Sequence, residues 1–161
     1  MRYKFSSLLI VLFALAACTK TVKQAQPTQG EALLQILNAE QQSLLVLKND
    51  SLARYNSRGV QDLMQLLSDE PDRLQGAIVA DKVIGKAAAS LMVAGGVSEV
   101  YTNVICTPAM EVFKSAGVTV HATEEVPQIL NQDRSGQCPI DALLNEAESV
   151  EECVKILQER L

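Results

Sequence analysis

Between Gly76 and Ala122 the chain alternates short apolar runs with helix-like stretches, and this alternation narrows the fold more than any other feature. Gly76–Ala80 reads as a buried strand, and Asp81–Val93, rich in alanine and closed by Gly95-Gly96, reads as a helix. Val97–Cys106 is a second strand. Pro108–Ala116 is a helix with proline in its first turn and Gly117 at its end, and Val118–Ala122 is a third strand. Helices of this length between strands act as crossovers, and strands joined by crossovers lie parallel. The expected class is α/β: three layers, with a mixed sheet, parallel later strands and helices on both faces.

The flanking segments fill in the architecture. From Glu31 the apolar positions Leu33, Leu34, Ile36 and Leu37 suggest a short amphipathic helix. Ser43–Lys48 and Ser51–Asn56 flank Asn49-Asp50, whose residues tolerate the positive φ of a tight turn, so an N-terminal β-hairpin is expected. Val60, Leu63, Met64, Leu66 and Leu67 mark a helix stopped by the Asp-Glu-Pro-Asp turn at 69–72. Downstream, Pro127–Asn131 opens a short helical turn, Asn131–Cys138 is a polar loop and Pro139–Ala147 is helical. Ser149-Val150-Glu151-Glu152 has capping-box spacing for a last helix with Val150, Cys153, Val154 and Leu157 on one face.

The N-terminus speaks to address rather than fold. Arg2 and Lys4 precede an apolar run, Phe5 to Ala17, too short to span a bilayer as a helix and suited to the core of a secretory signal. Its end, Leu15-Ala16-Ala17-Cys18, resembles the lipobox of bacterial lipoproteins, which implies lipid on the Cys18 sulfur and a mature chain beginning there. The expected organisation is a signal peptide over 1–17, a lipidated cysteine and flexible tether over 18–30, and one domain over 31–161. The expected location is the bacterial cell envelope, periplasmic or surface-facing, with the membrane as a partner through Cys18. The chain carries a formal net charge of −5, has no Trp and shows no Lys/Arg cluster, which argues against nucleic acid as a partner. It argues equally against an electrostatic hold on anionic lipid, so acyl chains must supply the anchor.

Beyond Cys18 the cysteines are Cys106, Cys138 and Cys153, enough for one internal disulfide at most. No Cys-x-x-Cys spacing exists and His121 is the single histidine, a poor basis for a zinc site. Cys138 precedes Pro139 at a helix start, with Arg134 nearby, a setting that favours thiolate. Against this, Cys138 either pairs with Cys106 or packs as a small apolar residue beneath the loop. Cys153 belongs to the apolar stripe of the last helix. His121 ends a strand with no partner in the sequence.

Three stretches combine into a family resemblance: Gly76-Ala-Ile-Val-Ala-Asp-Lys-Val-Ile-Gly-Lys-Ala-Ala-Ala89, Gly95-Gly-Val-Ser-Glu-Val-Tyr101 with Thr107-Pro-Ala-Met110, and Asn131-Gln-Asp-Arg-Ser-Gly-Gln-Cys-Pro139. Together they resemble the domain of unknown function 1893 family, and the resemblance implies a cytidine-deaminase-like fold. In that fold a His-Ala-Glu segment opens one helix and a Pro-Cys-x-x-Cys segment the next; His and both Cys hold zinc, and Glu moves the proton. Placed on this chain, the ligand positions fall on Val79, Ala109 and Val112, none of which donates a lone pair, while Asp81 keeps a carboxylate where the proton shuttle would sit. The resemblance thus implies no metal and no cofactor, and makes hydrolytic deamination improbable.

Two helix starts that converge on one pocket would suit an anion or a carbonyl oxygen, with Lys82 and Lys86 one turn apart on the first helix. In the alternative, Asp81 merely caps its helix and the lysines face solvent. The ligand-binding candidates are Asp81, Lys82, Thr107, Asp133, Arg134, Gly136 and Cys138, and the catalytic candidates are Asp81 and Cys138. The expected function is a membrane-anchored, zinc-less domain that binds a small polar or anionic ligand, or a partner protein, without catalysis. Alternatives are a thiol-dependent or redox enzyme built on Cys138, and a nucleoside or base deaminase.

Overall fold

The computed structural model describes residues 26–161, so the signal segment and Cys18 lie outside the described residues. Five strands form one sheet in the order β2-β1-β3-β4-β5. The hairpin β1 (Leu44–Lys48) and β2 (Ser51–Tyr55) turns through Asn49 and Asp50, at φ 48° and 62°, the paired positive values of a two-residue hairpin turn. β1 also runs antiparallel to β3 (Ile78–Ile84), while β4 (Glu99–Cys106) and β5 (Thr119–Val126) continue parallel from β3. The two crossovers are α3 (Lys86–Ala94) and α4 (Thr107–Ala116). Both step across the sheet in the same direction, so crossovers of one hand leave both helices on the same face.

Alternation along the strands separates two cores. Leu45, Leu47, Ile78, Ala80 and Tyr101 face α1 (Gln29–Glu40), which inserts the buried Leu33 and Leu37. Leu44, Val46, Val79 and Val100 point the other way, into the larger core shared with α2 (Gln61–Asp69), α3, α4 and α6 (Val150–Arg160). This is the expected three-layer arrangement. Each fully buried leucine in it contributes about 1.5–3 kcal/mol. The alanines of α3 now have a reason: Ala87 through Met92 are all buried, and small side chains let neighbouring helices close around α3.

At the N-terminal end, Thr28 forms a capping box with Glu31, which the sequence reading missed. Gly30 then meets the Tyr101 ring, where an added methyl would sit 1.8 Å from the nearest ring carbon. His121 stacks on the same ring at 4.4 Å between centroids, and its Nε2 lies 3.0 Å from Glu99 Oε1. His121 therefore sits inside β5 with partners, rather than at a strand end without them. Tyr101 and His121 are register neighbours across the parallel β4–β5 pair, which brings the rings together.

Three local expectations need correction. The segment expected to begin a helix at Asp81 is strand as far as Ile84, held by Leu44 on one side and Thr102 on the other, and the helix starts only after Gly85. Residues 127–131 are not helical; Leu130 instead bridges Gln137 across the polar loop. The helix expected over Pro139–Ala147 is a single turn, α5 (Pro139–Ala142), followed by turns. At α6, Ser149 Oγ accepts from Glu152 N as expected, but the Glu152 carboxylate reaches Glu148 N, one residue upstream of the usual box partner.

Candidate functional site

The carboxyl ends of β3 and β4 deliver the chain into the starts of α3 and α4, the usual place for a site in an open α/β sheet. Here the start of α3 is filled from within. Gly85 precedes the helix and carries no side chain to cap it, and Asp141 Oδ1, from α5, accepts from Ala87 N at 3.0 Å. A Cβ on Gly85 would stand 2.1 Å from Asp141 Oδ2, so glycine is what lets the carboxylate in. Lys86 turns away, donating Nζ to the carbonyls of Leu144 and Ala147, both at 2.8 Å. Burial raises the pKa of Asp141, opposed by the Ala87 and Lys86 N–H groups and the Lys86 charge.

The start of α4 has Cys106 as its cap residue, with no side-chain capping hydrogen bond. Cys106, buried at the end of β4, lies beside the N–H groups of Ala109 and Lys86. Burial pushes its thiol pKa up and the Asp141 charge adds to that, while those N–H groups oppose, leaving a thiol suited to packing rather than attack. At the α3 start, the place of the expected anion is therefore taken by the chain's own Asp141. Nothing local in the sequence marks Asp141, because its contact with Ala87 spans 54 residues.

Asp81 does something else. It belongs to β3, not to a helix start, and Lys82 is beside it on the strand rather than one turn from Lys86 on a helix. Both line a cavity of about 300 Å³ bounded by Leu44, Asp62, Cys138 and Asp141. Asp81 Oδ1 accepts from Val83 N at 3.1 Å. Burial raises the Asp81 pKa to about 7, assisted by the Asp62 charge and opposed by the N–H groups of Val83 and Lys82 and by the Lys82 ammonium. A carboxyl so poised exchanges its proton near neutrality and, once ionised, seeks a donor.

Of the other candidates, Cys138 lines this cavity, whereas Thr107, Asp133, Arg134 and Gly136 do not. Thr107 Oγ1 donates to Glu125 Oε1 at 2.9 Å, bracing α4 against β5. Asp133 accepts from the N–H and hydroxyl of Ser135, which hold its pKa down, and Gly136 N donates to Asn131 Oδ1 at 3.2 Å. Arg134 takes a left-handed φ of 58° at the loop tip. These residues build the loop, and the loop in turn places Cys138. Cys106, Cys138 and Cys153 are all free thiols, so the pairing of Cys138 with Cys106 is not made, and of the three only Cys138 is not buried.

The Domain of unknown function (DUF1893) family matches residues 32–161 of this chain. The crystal structure of a DUF1893 family protein from Thermotoga maritima is similar to it, with a TM-score of 0.75 at 26% sequence identity, over 84% of this chain and 93% of that one. No curated protein matches.

Proposed function

The chain belongs to the Domain of unknown function (DUF1893) family, and we propose that it is a ligand-binding module of the bacterial cell envelope, anchored by lipid on Cys18 and built on a zinc-less, cytidine-deaminase-like fold. The observation that carries this reading is the pairing of a filled position with an open one. Where a deaminase would hold its metal, the helix starts offer Gly85, Lys86, Ala87, Pro108, Ala109 and Val112, which include no imidazole or thiolate. Cys106 is a buried thiol with a raised pKa, and Asp141 is committed to capping α3, so these residues do not fit a three-ligand catalytic zinc. Beside them the Asp81 cavity is open and lined by a carboxyl with capacity for a ligand donor.

The test is to purify the chain from its own envelope, denature it and identify what it releases. Wild type is expected to release a small molecule in about stoichiometric amount, and Asp81→Asn to release little or none. Equal release from both variants, or from neither, contradicts the reading. A second reading, thiol chemistry at Cys138, draws on the placement of that unburied thiol at the cavity wall. Cys138→Ser separates the two, because a binder keeps its small molecule and its effect in the cell, whereas a thiol enzyme loses its effect.

The address is tested independently of the ligand. Cys18→Ser is expected to abolish incorporation of a fatty-acid analogue and to block cleavage before residue 18. Equal labelling of wild type and variant would remove the lipid anchor.

A further inference from the structure

A second depression adjoins the Asp81 cavity. Gly59, Val60, Cys138 and Ile140 line both, so they stand between the inner cavity of about 300 Å³ and an outer groove of about 820 Å³. The two chambers differ in chemistry. The inner one carries the carboxyls of Asp62, Asp81 and Asp141 against a single ammonium, Lys82. The outer one is walled by Met64, Leu130, Ile140 and Leu161, with one charge of each sign, Arg58 and Asp133, among its lining residues. Leu130 and Leu161 are 45% and 59% exposed, and leucines that open in one groove form an apolar wall that water covers poorly.

We propose that the two chambers form one site for a small amphipathic cation, with an ammonium or amidinium head beside Asp81 and an apolar body over Met64, Leu130, Ile140 and Leu161. This inference rests on the binding reading above and supplies its ligand class. Charge complementarity selects the head. An anion entering the inner cavity meets three carboxyls, and a purely apolar ligand strips water from Asp81 without giving it a donor. Asp141, Asp62 and Asp81 accept the backbone N–H groups of Ala87, Ser57 and Val83 respectively, and each carboxyl keeps lone pairs for a further donor. A cationic donor gives Asp81 a charge-assisted bond, while the body removes the Leu130 and Leu161 surface from water.

Cys138, which lines both chambers, provides the readout. The full chain in zwitterionic lipid nanodiscs is alkylated with a maleimide, labelling at Cys138 is followed by peptide mass mapping, and three probes with one tail compete: hexylammonium, hexanol and hexanoate. Hexylammonium is expected to protect Cys138 at roughly ten-fold lower concentration than the other two, one strong ionic contact's worth of affinity. Asp81→Asn should erase that advantage, and Leu130→Ser should weaken hexylammonium and hexanol alike. Equal protection by hexanol or hexanoate, or an advantage that survives in Asp81→Asn, overturns the cationic head but leaves a binding cavity. If no probe protects Cys138, the cavity reading falls and this inference falls with it.

Discussion

Gly85→Ala and Asp141→Ala are each expected to destabilise the domain by about 3 kcal/mol, and the double variant by clearly less than the sum. The single changes fail for opposite reasons. At Gly85 the backbone has φ −94°, which alanine adopts without strain, so the cost is steric: the new methyl lies 2.1 Å from Asp141 Oδ2. Relief requires moving a carboxylate that is 6% exposed and bonded to the first turn of α3. In Asp141→Ala that carboxylate is gone, and Ala87 N is left buried without an acceptor, which adds a desolvation cost to the loss of a cap. Combining the two places the Gly85 methyl in the space the carboxylate vacated, so the steric term vanishes and only the lost cap remains. Urea denaturation of the four proteins gives the coupling directly. Strict additivity would mean that Asp141 is not what fills the α3 start, and the argument for an internally plugged helix terminus would fail.

The sheet was legible because its signals are local. Asn49-Asp50 announces a two-residue hairpin by residue type, and the apolar runs of β3 and β4 are separated by a helix long enough for the crossover that a parallel pair needs. The end of β3 reads as a helix start because Asp81 followed by an alanine-rich stretch resembles a capped helix. Only pairing with Leu44 and Thr102, 37 and 21 residues away, keeps Asp81 extended. The β-branched Val83 and Ile84 just before Gly85 were the available local hint that the strand continues. The candidate site divides along the same line. Asp81, Lys82 and Cys138 share a cavity and Asp133 lines the adjoining groove, while Thr107, Arg134 and Gly136 line neither. Asp62 and Asp141 were missed because each reaches the cavity only through packing distant in sequence.

If Asp81 is held in its cavity for a ligand, it is held there at a cost to the fold, and the pH dependence of stability measures that cost. The folded pKa of Asp81, about 7, lies above the ordinary 3.8. The bound proton therefore favours the folded state. That advantage is fully present below about pH 4, declines as the unfolded chain ionises first, and is gone once the pH passes about 7. Asparagine keeps the amide oxygen facing Val83 N but does not ionise. Chemical denaturation of wild type and Asp81→Asn, without ligand, is expected to give nearly equal stabilities at pH 3.5. At pH 8 the variant should be more stable by about 2 kcal/mol, roughly half the full shift because Asp81 keeps some contact with water. A wild type as stable as Asp81→Asn at pH 8, or more stable, would make Asp81 a structural carboxylate and contradict its role in a binding site.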